Sequence, residues 1–482
     1  MAELVVGVDS STQSTKVEAR DLNTGALIAV GRAPHPQVTP PCAEQHPATW
    51  WSALTEALGQ LGDHRSEVVA LSVAGQQHGL VVTDAAGDVL RPAKLWNDTT
   101  SAEVANELVS QMGAAWWVAQ CGSVPGAAFT VSKLAWMAAH EPDVFARVEH
   151  VMLPHDYLTW RLTGARVTDR GDASGTGWWS PDGYAAAVLE LVGLDADALP
   201  RVLAATEPAG VITASSAAQL GLPSGVVIGP GTGDNMAAAL GLGLRAGDVS
   251  ISIGTSGTVY AVADRPTTDA TGAVAGFADA TGRYLPLVCT LNATRVTDTV
   301  AGWLGTDPPG LAQLALAAPS VGGELVLVPY FDGERTPNLP HAIGTLSGLR
   351  TTTSREDLAL SAHDGVVCGL LQGLDALSAA GVATGGTMHF VGGGARSAAY
   401  RQRLAELAAR PVLVPDTDET VATGAAVQAA VVTAGGTFAD IAAAWGLGRG
   451  TTVQPRAGVD AAARRSAYAA AVQAWSGPMS SQ

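Results

Sequence analysis

GVDSSTQSTK (residues 7–16) and SISIGTSGTVYA (residues 250–261) are the two stretches on which the reading of this chain turns. Each joins a strand to a second strand through a short run of small hydroxyl residues. In the first, Leu4–Asp9 is an apolar run closed by an acid, Ser10, Ser11 and Thr12 follow, and Ser14–Arg20 alternates as a half-buried strand does. In the second, Asp248–Ile253 leads through Gly254-Thr255-Ser256-Gly257 into Thr258–Ala263. Small residues let backbone N–H groups approach an anion, and hydroxyls add donors. Each stretch alone also reads as a plain hairpin turn rich in Ser and Thr. Two of them in one chain point to a nucleotide gripped once from each of two domains, and to a weak internal duplication. Asp9, at the end of the first strand, stands where it would hold a hydrated Mg²⁺.

Working outward, the turn Asp21–Gly25 leads to a third strand, Ala26–Arg32. Pro47 opens a helix after a Pro-rich loop, and Glu67–Ala74 reads as a buried strand. In the second half, Ser354-Arg355-Glu356-Asp357 is a capping box that starts a long helix to about Leu377. Then come a strand (Thr387–Val391), a helix (Ser397–Ala409), a strand (Pro411–Val414) and an Ala-rich helix (Glu419–Thr433). One or two surface helices are expected after Gly435. The pattern is α/β with mixed sheets in two domains, residues 1–243 and 244–482, joined near Gly241–Gly247.

Three further motifs carry chemistry. GPGTGDNMAAA (residues 229–239) sets Asp234 in a glycine-rich turn before a helix. Phosphoryl transfer to an alcohol needs one carboxylate within reach of the attacking hydroxyl, and Asp234 is the candidate. The same residue also reads as a helix N-cap. VAGQQHGLV (residues 73–81) and KLWND (residues 94–98) put Gln76, Gln77, His78, Trp96, Asn97 and Asp98 in loops after strands, a set that suits a polyol. For His78 a purely structural role stays open. HFVGGGARS (residues 389–397) runs a strand into three glycines and a helix without the G-x-G-x-x-G spacing. It suits backbone lying against a flat ring or ribose, or a turn in which glycine serves packing.

Composition excludes several classes. The 482 residues carry a net charge of −17, with 27 Lys and Arg against 44 acids, which disfavours nucleic acid and anionic membranes. Cys42, Cys121, Cys289 and Cys368 form no C-x-x-C pair and read as reduced, mostly buried thiols, so a cytoplasmic location is expected. The histidines show no zinc spacing, the N-terminus does not read as a signal peptide, and no transmembrane helix is expected. Most of the twelve tryptophans read as core.

GVDSSTQSTK, GQQHGL, LWND, GTGDN, SIGTSGTVY, PYFDGERTP and VGGGARS stand in the order seen in the FGGY carbohydrate kinases. The chain resembles that family from about residue 4 to about 435. AGQQHG, LWND, LPHDYLTWRLTG and DASGTGWW most resemble its xylulokinase branch. The resemblance implies two actin-like (RNase H-like) domains with a cleft between them, and transfer of phosphate from ATP to D-xylulose. It implies Asp234 as general base, Gln77 and His78 on the sugar with Asn235 and Trp96 near it, and Asp9 at Mg²⁺. Ser11, Thr12, Thr255 and Ser256 would line the phosphates, and Gly393 and Gly394 would lie against adenosine. It suggests a homodimer. Two departures stand out. Ser11 replaces the glycine of the family's D-x-G-T, and Gln77 stands where xylulokinases often have Met. The alternatives are a family member acting on another ketose or polyol (ribulose, glycerol, an alditol), or an actin-like ATPase that switches a protein partner.

Overall fold

The first strand, β1 (Leu4–Ser10), is buried along its whole length, which an apolar run achieves only when both faces of its sheet are covered. Leu4, Val6 and Val8 share one core with Trp50, Trp51, Leu54 and Leu58 of helix α1 (Pro47–Gly59). Val5 belongs to a second core with Ala426, Ala429 and Ala430 of the helix Val421–Ala434. The period of two along a strand thus sorts β1 between two helices. It also puts Asp9 on the same side as Val5. In this computed structural model the residues described are 3–318, 325–417 and 419–476.

The chain divides into two units. The first comprises Met1–Leu244, Val262–Leu285 and Glu419–Gly448. Its main sheet adds β2 (Ser14–Asp21), β3 (Leu27–Pro34), β4 (Val68–Gly75), β5 (Gly210–Val211) and β6 (Val227–Ile228) in the spatial order β5-β6-β4-β1-β2-β3. β1, β2 and β3 form an antiparallel meander, while β1, β4 and β6 run parallel. A two-residue strand, β7 (Thr232–Gly233), pairs in parallel with Ala74 and Gly75 at the end of β4.

The second unit comprises Arg245–Ala261, Pro286–Asp418 and Arg449–Gln482. Its strands are β8 (Val249–Ile253), β9 (Gly257–Ala261), β10 (Tyr284–Thr290), β11 (Met388–Val391), β12 (Val412–Pro415) and β13 (Gly450–Val453). Their order, β10-β9-β8-β11-β12-β13, repeats that of the first unit: an antiparallel meander, parallel neighbours, and an antiparallel strand at the edge. Each unit is an RNase H-like α/β layer structure. The strand β13 was not expected from the tail sequence, where only surface helices were read.

The segment 419–448 packs with the first unit for a physical reason. Helix Val421–Ala434 carries Gly424, and helix α2 (Asp234–Gly241) ends in Gly241. A Cβ on Gly424 would collide with the Ala237 carbonyl, and one on Gly241 with the Thr420 carbonyl. The two backbones approach so closely that only hydrogens fit between them. The long helix Arg355–Ala379 of the second unit starts on the expected capping box, with the Ser354 hydroxyl accepting from the Asp357 N–H at 3.1 Å.

Among the described residues no single helix is long and apolar enough to cross a membrane. All four cysteines are free, but only Cys121 and Cys368 are buried; Cys42 is exposed and Cys289 is intermediate. Trp50, Trp117 and Trp178 are fully buried, whereas Trp303 is 68% exposed.

Candidate active site

The turn after β1 closes with the Ser11 N–H donating to the Ser14 carbonyl at 3.1 Å. Ser11 does not adopt a left-handed backbone, so the family glycine is not needed here for its conformation. Its hydroxyl donates to Asp9 Oδ1. Asp9 Oδ2 lies 3.3 Å from Lys16 Nζ, which also meets Glu419 at 2.8 Å. Asp9 is 1% exposed, and burial pushes its carboxyl up to about 6 despite the pull of Lys16.

Thr12, the other residue expected at the phosphates, is engaged differently. Its hydroxyl donates to Gln76 Oε1 at 3.2 Å and accepts from the Trp96 indole N–H at 2.9 Å. The first loop and the two polar loops are therefore one hydrogen-bonded assembly.

Asp234 is the first residue of α2, and the residue in the capping position is Gly233. The reading of Asp234 as an N-cap is corrected: strand β7 already brings the chain into the helix, so the carboxylate sits one residue too late to cap. Its Oδ1 accepts from the backbone N–H of Asn235 at 2.8 Å and from Asn235 Nδ2 at 2.9 Å. Asn235 Nδ2 also donates to Gln77 Oε1 at 2.8 Å. Burial, and after it the charge of Asp9, push the Asp234 carboxyl up to about 7. A base with such a value is half-ionised near neutral pH, where proton acceptance from an alcohol is most efficient.

His78 holds a left-handed backbone, φ 65°, uncommon for a residue with a side chain. The Thr130 hydroxyl (3.2 Å) and the Lys133 ammonium (3.0 Å) donate to its carbonyl and hold it there. Its ring stacks on Phe129, with 5.4 Å between centroids and 7° between planes, and meets Phe277 at the same distance. Such strain is retained where the surroundings enforce it, often at functional positions.

Gln76 Nε2, Gln77 Nε2 and Asn97 Oδ1 are buried without a hydrogen-bond partner among the described residues. Each such group costs about 1–3 kcal/mol until a ligand or water satisfies it. They lie in or next to the path that links Asp234, Asn235 and Gln77 and the path that links Thr12, Gln76 and Trp96. Asp98, by contrast, is structural. It accepts from the Ala43 N–H at 2.9 Å and pairs with buried Lys94 at 3.3 Å. Cys42, Glu44 and Asp98 approach one another as metal ligands would, but Glu44 is already paired with Arg91 (2.6 Å) and Lys94 (3.1 Å).

In the second unit, Thr255 is exposed and Ser256 half-buried on the turn between β8 and β9. The turn is closed by the Gly254 N–H donating to the Ser256 carbonyl at 2.9 Å, and is tied to Thr294, whose N–H donates to the Gly254 carbonyl at 3.0 Å. Of the glycines after β11, Gly393 is exposed and Gly394 is buried, where a Cβ would strike the Ile253 side chain. Packing explains Gly394, whereas a Cβ on Gly393 would make only an ordinary contact, 3.6 Å from Arg396 Nη2.

The sequence profile of the FGGY family of carbohydrate kinases, N-terminal domain, matches residues 4–241, and that of the C-terminal domain matches residues 249–433. The chain belongs to the FGGY family of carbohydrate kinases. It is an ATP-dependent sugar kinase. A xylulose kinase of Streptomyces coelicolor is 48% identical over 452 residues, 93% of this chain and 92% of that protein. The xylulose kinase of Escherichia coli K12 is 34% identical over 419 residues, 84% of each. The crystal structure of a xylulose kinase from Bifidobacterium adolescentis is 39% identical, with a TM-score of 0.86 covering 98% of this chain and 99% of that one.

Sequence reasoning missed one part of the kinase. His155, Asp156, Asp169 and Asp172 are all buried, and His155 Nε2 lies 3.3 Å from Asp156, 3.5 Å from Asp169 and 3.5 Å from Asp172. Burial alone would lower the His155 value, but the three carboxylates outweigh it and raise it to about 9. Burial pushes Asp156 up to about 6 and Asp172 well above the usual carboxylate range. These residues sit inside the quoted stretches LPHDYLTWRLTG and DASGTGWW or just before the latter, but nothing in their spacing signals that they meet.

Proposed function

We propose that the kinase transfers the γ-phosphoryl group of ATP to the terminal hydroxyl of D-xylulose, giving ADP and D-xylulose 5-phosphate, with Asp234 as general base. The observation that carries this reading is the hydrogen-bonded path from Asp234 through Asn235 to Gln77. It ties a carboxyl raised to about 7 to a buried amide that still has a donor to give. In this reading Gln77 Nε2 and the His78 side chain bind sugar hydroxyls, and Trp96, fixed by Thr12, lies near the sugar. The Asp234 carboxylate takes the hydroxyl proton as the oxygen attacks phosphorus in line with the departing ADP oxygen.

Asp9 fits a role at the Mg²⁺ that accompanies ATP. It offers hard carboxylate oxygens, and a cation there would relieve the cost of ionising Asp9 and Asp234 together. That ion, when bound, supplies charge neutralisation at the phosphates. Ser11, Thr12, Thr255 and Ser256 are assigned to the phosphates; the Ser11 and Thr12 hydroxyls and the Ser11 N–H are already used within the unit. Gly393 and Gly394 are assigned to adenosine. Residues 1–243 would recognise the sugar and residues 244–482 the nucleotide, in a cytoplasmic enzyme that forms a homodimer.

The xylulose kinases among the relatives support the choice of sugar. The test is ADP release measured with a panel of D-xylulose, ribulose, glycerol and alditols. D-Xylulose should give the highest kcat/KM, and finding it among the poorest acceptors would remove it as the substrate. ADP release that ignores every sugar would favour the ATPase reading.

A further inference from the structure

The residues leading into Asp234 are pinned at three consecutive positions. The Gly231 carbonyl accepts from Gln428 Nε2 at 2.9 Å. The Thr232 hydroxyl, fully buried, donates to Asp169 Oδ2 at 2.6 Å. Gly233 pairs with Gly75 at the end of β4. Asp169 is itself fixed. It accepts from the N–H groups of Gly171 (2.8 Å) and Asp172 (2.9 Å), and its other neighbour is His155 Nε2 at 3.5 Å. The space around Thr232 is tight, since a Cβ on Gly171 would meet Asp169 Oδ2 at 2.7 Å and the Thr232 hydroxyl at 3.1 Å. Through the Thr232 hydroxyl this cluster is bonded to the residues that enter α2, two positions before Asp234.

We propose that Asp169, held by the N–H groups of Gly171 and Asp172, is a positioning residue for phosphoryl transfer: through the Thr232 hydroxyl it fixes the residues that enter α2 and so sets where the Asp234 carboxylate stands. The proposal rests on the reading of Asp234 as base. Without the bond, β7 keeps its pairing but loses the lateral anchor that stops Gly233 and Asp234 from turning about the strand axis.

Thr232→Val keeps the shape of the side chain and removes the donor, and Thr232→Ser keeps the donor. Measured on the full chain with ATP and D-xylulose, T232V should lose about 10- to 100-fold in kcat with KM for sugar within about twofold, as displacement of a reacting group by a fraction of an ångström does. T232S should recover most of the loss. Wild-type kcat in T232V would overturn the proposal. So would equal losses in T232V and T232S that follow their melting temperatures, because a merely structural threonine behaves that way. If T232V does not fold, Thr232→Ala removes the same hydroxyl with less bulk and is judged by the same outcomes. Asp234→Asn measured alongside separates the two claims. An active D234N removes the base reading, whereas an inactive D234N with an unaffected T232V removes only the positioning role.

Discussion

Replacing Asp234 with Asn should stabilise the kinase above neutral pH while it abolishes turnover. The carboxyl moves from an ordinary value of 3.8 to about 7 in the folded chain, through burial and then the charge of Asp9. Below pH 4 it is protonated in both states and costs nothing. As pH rises, the unfolded chain releases its proton first, so stability falls between pH 4 and pH 7 and then levels off. Taken at face value the ionised group costs roughly 4 kcal/mol above pH 7. Partial solvent access at Asp234 reduces that to about 1–2 kcal/mol. Asparagine keeps an Oδ1 that can accept both bonds from Asn235, so the change deletes the charge and little else. At about 2–4 °C per kcal/mol for units of this size, D234N should melt about 2–8 °C above wild type at pH 8.5, and the gap should shrink toward pH 5. Differential scanning fluorimetry at the two pH values without nucleotide or sugar reads this directly. A gap of the same size at both values, or a D234N variant less stable at pH 8.5 than at pH 5 relative to wild type, would refute the reasoning.

The same carboxyl must be ionised to accept a proton, so kcat should fall about tenfold per pH unit below about 7, read from a pH–rate profile at saturating ATP and sugar. Gly424→Ala drives a methyl group into the Ala237 carbonyl and should cost at least about 3 kcal/mol or prevent folding, as denaturant titration would measure. Thr12→Val strips the partner from the Trp96 indole N–H and should raise the sugar KM severalfold, more than it lowers the melting temperature, in steady-state assays paired with thermal melts.

Much of the fold was legible because its signals are local. The apolar run of β1, the alternation of β2 and the capping box at Ser354 each depend on neighbours within a few residues, and the structure places those elements within a residue or two of expectation. The repeated strand–turn–strand pattern proved to be one topology used twice. What stayed hidden is long-range. Glycines at 241 and 424 mark a helix crossing only when the two helices are seen together, so the return of residues 419–448 to the first unit had no sequence signal. Edge strand β13 is four residues of Gly, Thr and Val that only its pairing with β12 defines.

The site shows the same division. Gln77, Asn235 and Asp234 announced themselves as polar residues in turns after strands, and the structure joins them by hydrogen bonds. A second partner of Lys16 lies 403 residues away at Glu419, and the acids around His155 meet at a buried point that no spacing rule flags. The Ser11 hydroxyl, at the position where the family has glycine, turns inward to Asp9, the carboxylate two residues earlier.

The account stands most directly on sugar phosphate formation by D234N. With saturating ATP and D-xylulose at pH 8, the variant should bind the sugar as wild type does and form D-xylulose 5-phosphate about 100- to 10,000-fold more slowly, since that is what general-base assistance contributes. Near-native turnover by D234N would contradict it.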